Sequence, residues 1–133
     1  MISMGFVFCN PNPERISITD CVVRAVAIAQ NRSWDDVYMD LCMLGLKMRD
    51  MPNNNAVWDA YLRAEGWRRF GIPDTCPSCY TVRDFCIDNP YGIFVLGTGE
   101  HAMAVIDGNY YDTSDSGDEV PRYYYVFEGG KNV

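Results

Sequence analysis

Hydrophobic and polar positions divide the chain into a helical first part and a strand-rich last third. From Cys21 to about Gln30, the run Val22, Val23, Ala25, Val26, Ala27, Ile28 and Ala29 is interrupted only by Arg24. A helix that is apolar on every side is buried on every side, and the small Ala residues let a sheet approach closely. Thr19 and Asp20 both supply N-caps ahead of it. Behind Ser33-Trp34-Asp35-Asp36, the residues Val37, Leu41, Leu44 and Met48 recur at helical spacing and predict a second helix to about Arg49. Asn53 to Asn55 cap a third, which runs to about Glu65 and ends at Gly66. Thr81-Val82-Arg83-Asp84 has the form of a capping box and opens a short helix to about Asp88, before Pro90.

Past Pro90 the pattern becomes that of strands. Tyr91 to Leu96, His101 to Ile106, Asn109 to Thr113 and Tyr123 to Phe127 are β-rich runs separated by turn residues. Asp107-Gly108 is a strong hairpin turn. At the other end, residues 1–19 form a lead-in segment, where an apolar patch from Gly5 to Cys9 meets the turn chemistry of Asn10-Pro11-Asn12-Pro13. Helices first and antiparallel strands after predict an α+β fold, with residues 1–133 as one domain. The expected sheet has about four strands, packed against the buried helix.

Composition narrows the functional classes. The net charge is −7, and only Arg68 and Arg69 stand together as basic neighbours, so nucleic-acid binding is not expected. An acidic surface serves solubility or attracts basic partners. Hydrophobic residues at 48% and aromatics at 14% supply a packed core. No apolar run approaches the roughly 20 residues of a membrane span, and the start Met1 to Gly5 lacks the pattern of a secretory signal. The expectation is a soluble, cytoplasmic protein whose cysteines, at 9, 21, 42, 76, 79 and 86, are mostly reduced. Cys76-Pro77-Ser78-Cys79 has the spacing of half a zinc site, yet no second pair or His cluster completes it. A packed, Pro-stiffened loop is the reading preferred over zinc or redox chemistry, and neither metal nor cofactor is expected.

Candidate chemistry starts at Cys21, the one cysteine that opens a predicted helix. Unpaired N–H groups and the helix dipole favour a thiolate there, although Asp20 beside it works the other way. The chain has a single histidine, His101, which follows Gly97-Thr98-Gly99-Glu100 and opens a strand. A cysteine nucleophile needs an adjacent base, and His101 is the only imidazole on offer. If Asp107-Gly108 is a two-residue turn, Ile106 faces Asn109 and Met103 faces Asp112. His101 and Asp112 then share a face, one diagonal step apart. Asp112 is therefore the carboxylate best placed to orient the ring, ahead of Ser114, with Asp115 at the wrong parity. Taken singly, each residue also has a structural reading: a buried small Cys, a satisfied strand His, a turn Asp.

Thr19-Asp20-Cys21-Val22-Val23-Arg24-Ala25 together with Glu100-His101-Ala102-Met103-Ala104-Val105-Ile106-Asp107-Gly108-Asn109-Tyr110-Tyr111-Asp112 resembles the papain-like cysteine peptidases, especially their small bacterial and phage members. The resemblance implies a nucleophile helix on an antiparallel sheet, a Cys21–His101–Asp112 triad, and cleavage of an amide or isopeptide bond in a protein or peptide substrate. Papain carries its oxyanion-hole Gln six residues before the nucleophile, where this chain has Arg15. Asn10 or Asn12 is the expected substitute, beside the Cys21 N–H. Two alternatives accompany this reading. One is a papain-like fold kept as a protein-binding module, blocking a host protein. The other is transglutaminase-like acyl transfer.

Overall fold

The structure, a computed structural model, describes residues 5–16 and 18–129. The expected lead-in segment begins with residues 1–4, which lie outside the described residues. In chain order the elements are β1 (Gly5–Phe8), α1 (Cys21–Gln30), α2 (Trp34–Met48), α3 (Asn55–Ala64), β2 (Trp67–Gly71), α4 (Val82–Asp88), β3 (Ile93–Gly97), β4 (Ala102–Ile106), β5 (Asn109–Asp112) and β6 (Tyr123–Phe127). The expected α+β class holds. The described residues form one six-stranded sheet in the order β1-β5-β4-β3-β6-β2, where about four strands were expected.

The two additional strands are the outermost ones. β1 is the apolar patch of the lead-in segment, and it pairs parallel with β5, so the sheet is mixed rather than antiparallel throughout. β2 carries Arg68 and Arg69 in its centre and pairs antiparallel with β6. A four- or five-residue edge strand needs only one hydrogen-bonded neighbour and tolerates charge on its exposed side. Neither therefore shows the apolar alternation that marks an inner strand. The hairpin forms in the expected register, with Ile106 opposite Asn109. Asp107 and Gly108 both adopt positive φ, 49° and 78°, the backbone a type I′ turn demands.

Side chains alternate across the sheet and feed two cores. On one face, Val95, Ala102, Ala104, Tyr123 and Tyr125 pack against α1, α2 and α3 through Val26, Val37, Leu41, Trp58 and Leu62. On the other, Leu96, Met103, Val105 and Tyr110 meet Val82, Phe85 and Cys86 of α4. Helix α1 is buried along most of its length, as its all-round apolar sequence requires. Caps expected from the sequence form at Ser33 and, as a complete capping box, at Thr81 with Asp84, whereas Asp20 and Asn54 take the N-cap positions of α1 and α3 without a side-chain capping bond.

Most of the cysteines are reduced, as expected, but Cys76 and Cys79, read from the sequence as a packed loop, are joined by a disulfide. The x-x spacing across Pro77 leaves their Cα atoms 4.1 Å apart, which lets the sulfurs meet. Cys9, Cys21, Cys42 and Cys86 are free. No helix among the described residues is long and apolar enough to cross a membrane.

Gly97, the last residue of β3, lies under the Tyr123 ring, and a Cβ there would penetrate that ring. Tyr123 is itself wedged against Trp58 and Tyr125, so it has little room to withdraw. Gly97→Ala should cost about 1–3 kcal/mol in urea denaturation. An unchanged midpoint would show that the ring is free to move.

Candidate active site

Cys21, His101 and Asp112 come from three different elements and meet at one end of the sheet. Cys21 is the first residue of α1, His101 directly precedes β4, and Asp112 is the last residue of β5. Because β4 and β5 are antiparallel neighbours, the start of one lies beside the end of the other. His101 Nε2 is 2.6 Å from Asp112 Oδ2. The ring also hydrogen-bonds the Cys21 side chain, and Nδ1 is the ring atom left for that contact. His101 is thus held between a sulfur and a carboxylate, as its place in the sequence predicts.

The approach to His101 through Gly97-Thr98-Gly99-Glu100 is a closed turn. Thr98 N–H donates to the His101 carbonyl at 2.9 Å, and His101 N–H donates to Thr98 Oγ1 at 3.0 Å. Gly99, at φ 102°, supplies the positive backbone angle inside the turn.

Asp112 is almost wholly buried, at 2% exposure, so its carboxylate needs full hydrogen bonding. Oδ2 accepts from His101 and, at 2.7 Å, from Ser116 Oγ. Oδ1 accepts from Thr113 N–H at 2.8 Å and from Arg24 Nη2 at 3.4 Å. Ser116, rather than Ser114, is therefore the hydroxyl that supports the carboxylate, and Ser114 is exposed. Asp115, excluded on parity, instead accepts from Tyr110 and Arg83.

Arg24 is the residue whose importance the sequence pattern conceals. It is the one charge in an apolar helix, and it is buried. Its guanidinium bridges Asp20 and Asp112, while the second Asp20 oxygen accepts from Trp34 Nε1 at 2.9 Å. Asp20 is thereby neutralised by Arg24, which removes the expected conflict with a neighbouring thiolate. The only available signal was spacing: Asp20 and Arg24 stand four apart, a distance at which helical side chains meet.

These contacts set the protonation states. Burial pushes the Cys21 thiol upward, but the His101 hydrogen bond, an Ala102 N–H bond and the charges of His101 and Arg24 outweigh it, and the thiol lies below its ordinary value. His101 is raised to about 10, first by its bond to Asp112 and then by that to Cys21, against the opposing effect of burial. For Asp112, burial acts upward, and the bonds from His101 and Ser116 bring it below the usual carboxylate range. A lowered thiol and a raised imidazole both shift the proton from sulfur towards the ring, which favours a thiolate–imidazolium pair over the neutral one.

Beside Cys21 lies a cavity of about 210 Å³ lined by Thr19, Val22, Asn53, Asn54, Asn55, Trp58, Gly99, Glu100 and His101. Asn10 and Asn12 are not among these lining residues. Asn10 Oδ1 accepts from Asn12 N–H at 3.1 Å, and Asn12 Oδ1 accepts from Glu14 N–H at 2.9 Å, so both stabilise their own turn. Polar groups reach the cavity instead from Thr19 and from the connection before α3. Sequence reading missed those asparagines because they looked like cap residues, and Asn54 does occupy the N-cap position. Among the described residues, no group of three or more His, Cys, Asp or Glu side chains is arranged to hold a metal ion.

Two outcomes follow from this geometry. Arg24→Met leaves two buried carboxylates without their cation and should cost about 3–5 kcal/mol in chemical denaturation. A loss under about 1 kcal/mol would mean that water replaces the guanidinium freely. Separately, Cys21 should react with iodoacetamide at pH 7 faster than an ordinary thiol. In His101→Ala that rate should fall severalfold and recover only as the pH climbs towards the usual thiol range. Identical pH profiles in the two proteins would contradict the ion pair. No family model, curated protein or solved structure matches this chain.

Proposed function

We propose that the protein is a papain-like cysteine hydrolase that cleaves an amide or isopeptide bond through Cys21, His101 and Asp112. The observation that carries this reading is His101 bound on one side to Asp112 at 2.6 Å and on the other to the Cys21 thiol, at the start of α1. Nucleophile, base and orienting group in hydrogen-bonded sequence form the arrangement needed for covalent acyl transfer.

In this mechanism the Cys21 thiolate attacks the carbonyl carbon, and the C=O electron pair moves onto oxygen. The Cys21 backbone N–H, at the first position of α1, has no acceptor within the helix and faces the developing oxyanion. Thr19 Oγ1 and the Asn53 carboxamide line the cavity without a hydrogen-bond partner among the described residues, so they are the available second donors. His101 Nδ1 gives its proton to the leaving nitrogen as the C–N bond breaks. That leaves a thioester on Cys21 and a neutral imidazole. Water then gives a proton to Nδ1 and attacks the thioester, releasing a carboxylic acid and restoring the thiolate. Asp112 keeps the ring in register and stabilises its cationic form throughout; it does not itself take the proton.

Incubation with a peptide carrying an electrophilic ketone tests the assignment. Intact mass should show one covalent adduct, lost in Cys21→Ala, whose circular dichroism should be unchanged, and strongly slowed in His101→Ala. Adducts forming equally on Cys21→Ala would refute it. Turnover of peptides in buffer with and without a primary amine separates hydrolysis from transfer, because a transferase would yield the amine conjugate.

A further inference from the structure

A second cavity, of about 240 Å³, adjoins the first through Asn55 and is lined by Ala56, Asp59, Arg69, Tyr123 and Tyr125. Its charges are unequal in availability. Asp59 has both oxygens occupied: Oδ2 by Arg63 Nε at 2.9 Å and Oδ1 by the Tyr125 hydroxyl at 2.5 Å. Arg69 is exposed, projects from β2 towards α3, and forms no ion pair among the described residues. Its guanidinium lies 4.3 Å over the Tyr123 ring, which holds it in place and leaves its N–H edge free for an anion. Tyr123 in turn packs against Trp58, and Trp58 lines the cavity of Cys21. In a chain of net charge −7, an unneutralised guanidinium held two aromatic rings away from the nucleophile's cavity is a marked exception.

Resting on the hydrolase reading above, we infer that Arg69 selects substrates bearing a carboxylate close to the bond that Cys21 attacks. The carboxylate belongs in the second cavity, since the first is bordered by Glu100, which repels a like charge. Either an acidic side chain or a free peptide C-terminus offers the required chemistry. A planar guanidinium takes a carboxylate through two parallel N–H bonds. The bond-breaking chemistry stays with Cys21 and His101; Arg69 determines which substrate is held.

Fluorescent peptides that scan Glu, Gln and Lys through successive positions, each with a free or an amidated C-terminus, are titrated against Cys21→Ala protein by anisotropy. At one position the Glu peptide should bind about tenfold tighter than the Gln peptide, with the difference shrinking as salt rises past about 0.15 M. If the C-terminal carboxylate is the ligand, the gap appears between free and amidated peptides instead. Arg69→Gln should abolish the difference, and Arg69→Glu should reverse it in favour of Lys. Equal binding of charged and neutral peptides, or a preference that survives Arg69→Glu, overturns the inference. Turnover by the wild-type protein separates the two ideas. Cleavage that needs Cys21 but ignores peptide charge sinks the role of Arg69 alone, whereas charge-selective binding without any cleavage sinks the hydrolase reading alone.

Discussion

The arrangement of this molecule turns on one buried carboxylate. Asp112 ends a strand where water is excluded, and a buried anion is tolerated only when its lone pairs are fully engaged. The four groups that engage it come from the 113–116 turn, from α1 and from the start of β4. Satisfying that single residue therefore fixes the hairpin end, the pitch of the helix that carries Cys21, and the ring of His101. Arg24 extends the chain of charges to Asp20, and Trp34 ties Asp20 to α2. Structure and candidate chemistry are consequently hard to separate here, because removing a support for the base also removes a support for the fold.

That coupling explains what the sequence revealed and what it hid. Helix α1, the capping box at Thr81 and the Asp107-Gly108 hairpin depend on short-range rules, and each forms as its local residues require. From the hairpin register alone, His101 and Asp112 fall on one face of neighbouring segments, a diagonal step apart. What parity does not supply is the position of α1 over the strand ends, which depends on packing between segments 80 residues or more apart. Arg24 was hidden for the same reason, its partner Asp112 lying 88 residues away. Ser116 stands only four residues from Asp112 but sits in an irregular turn beyond β5, where strand parity places no side chain. The edge strands β1 and β2 escaped notice because they are short and partly exposed, so they lack the apolar alternation on which strand reading depends.

The cavity beside Cys21 shows how the chain builds a wall opposite the thiol that opens α1. The connection from α2 to α3 supplies it, and that connection is firmly seated. Asp50 N–H donates to the Gly45 carbonyl at 2.9 Å, and Asp50 Oδ1 accepts from Met51 N–H at 2.8 Å and from Asn54 Nδ2 at 2.6 Å. Gly45 is required because a Cβ there would lie 2.8 Å from the Asp50 carbonyl oxygen. Asn55 then locks the wall to the histidine turn, donating from Nδ2 to the Gly99 carbonyl at 3.1 Å while its Oδ1 accepts from Trp58 Nε1 at 3.0 Å. The two sides of the cleft are thus joined directly, across 44 residues of sequence. That link ties the two sides of the cleft together at its exposed edge, next to the groups on its rim. The asparagines at the centre offer donors without charge, and the guanidinium held over Tyr123 offers charge further out. On the proposed hydrolase reading, neutral polar groups would lie beside the reacting bond and the cation beyond it, dividing recognition between the two cavities.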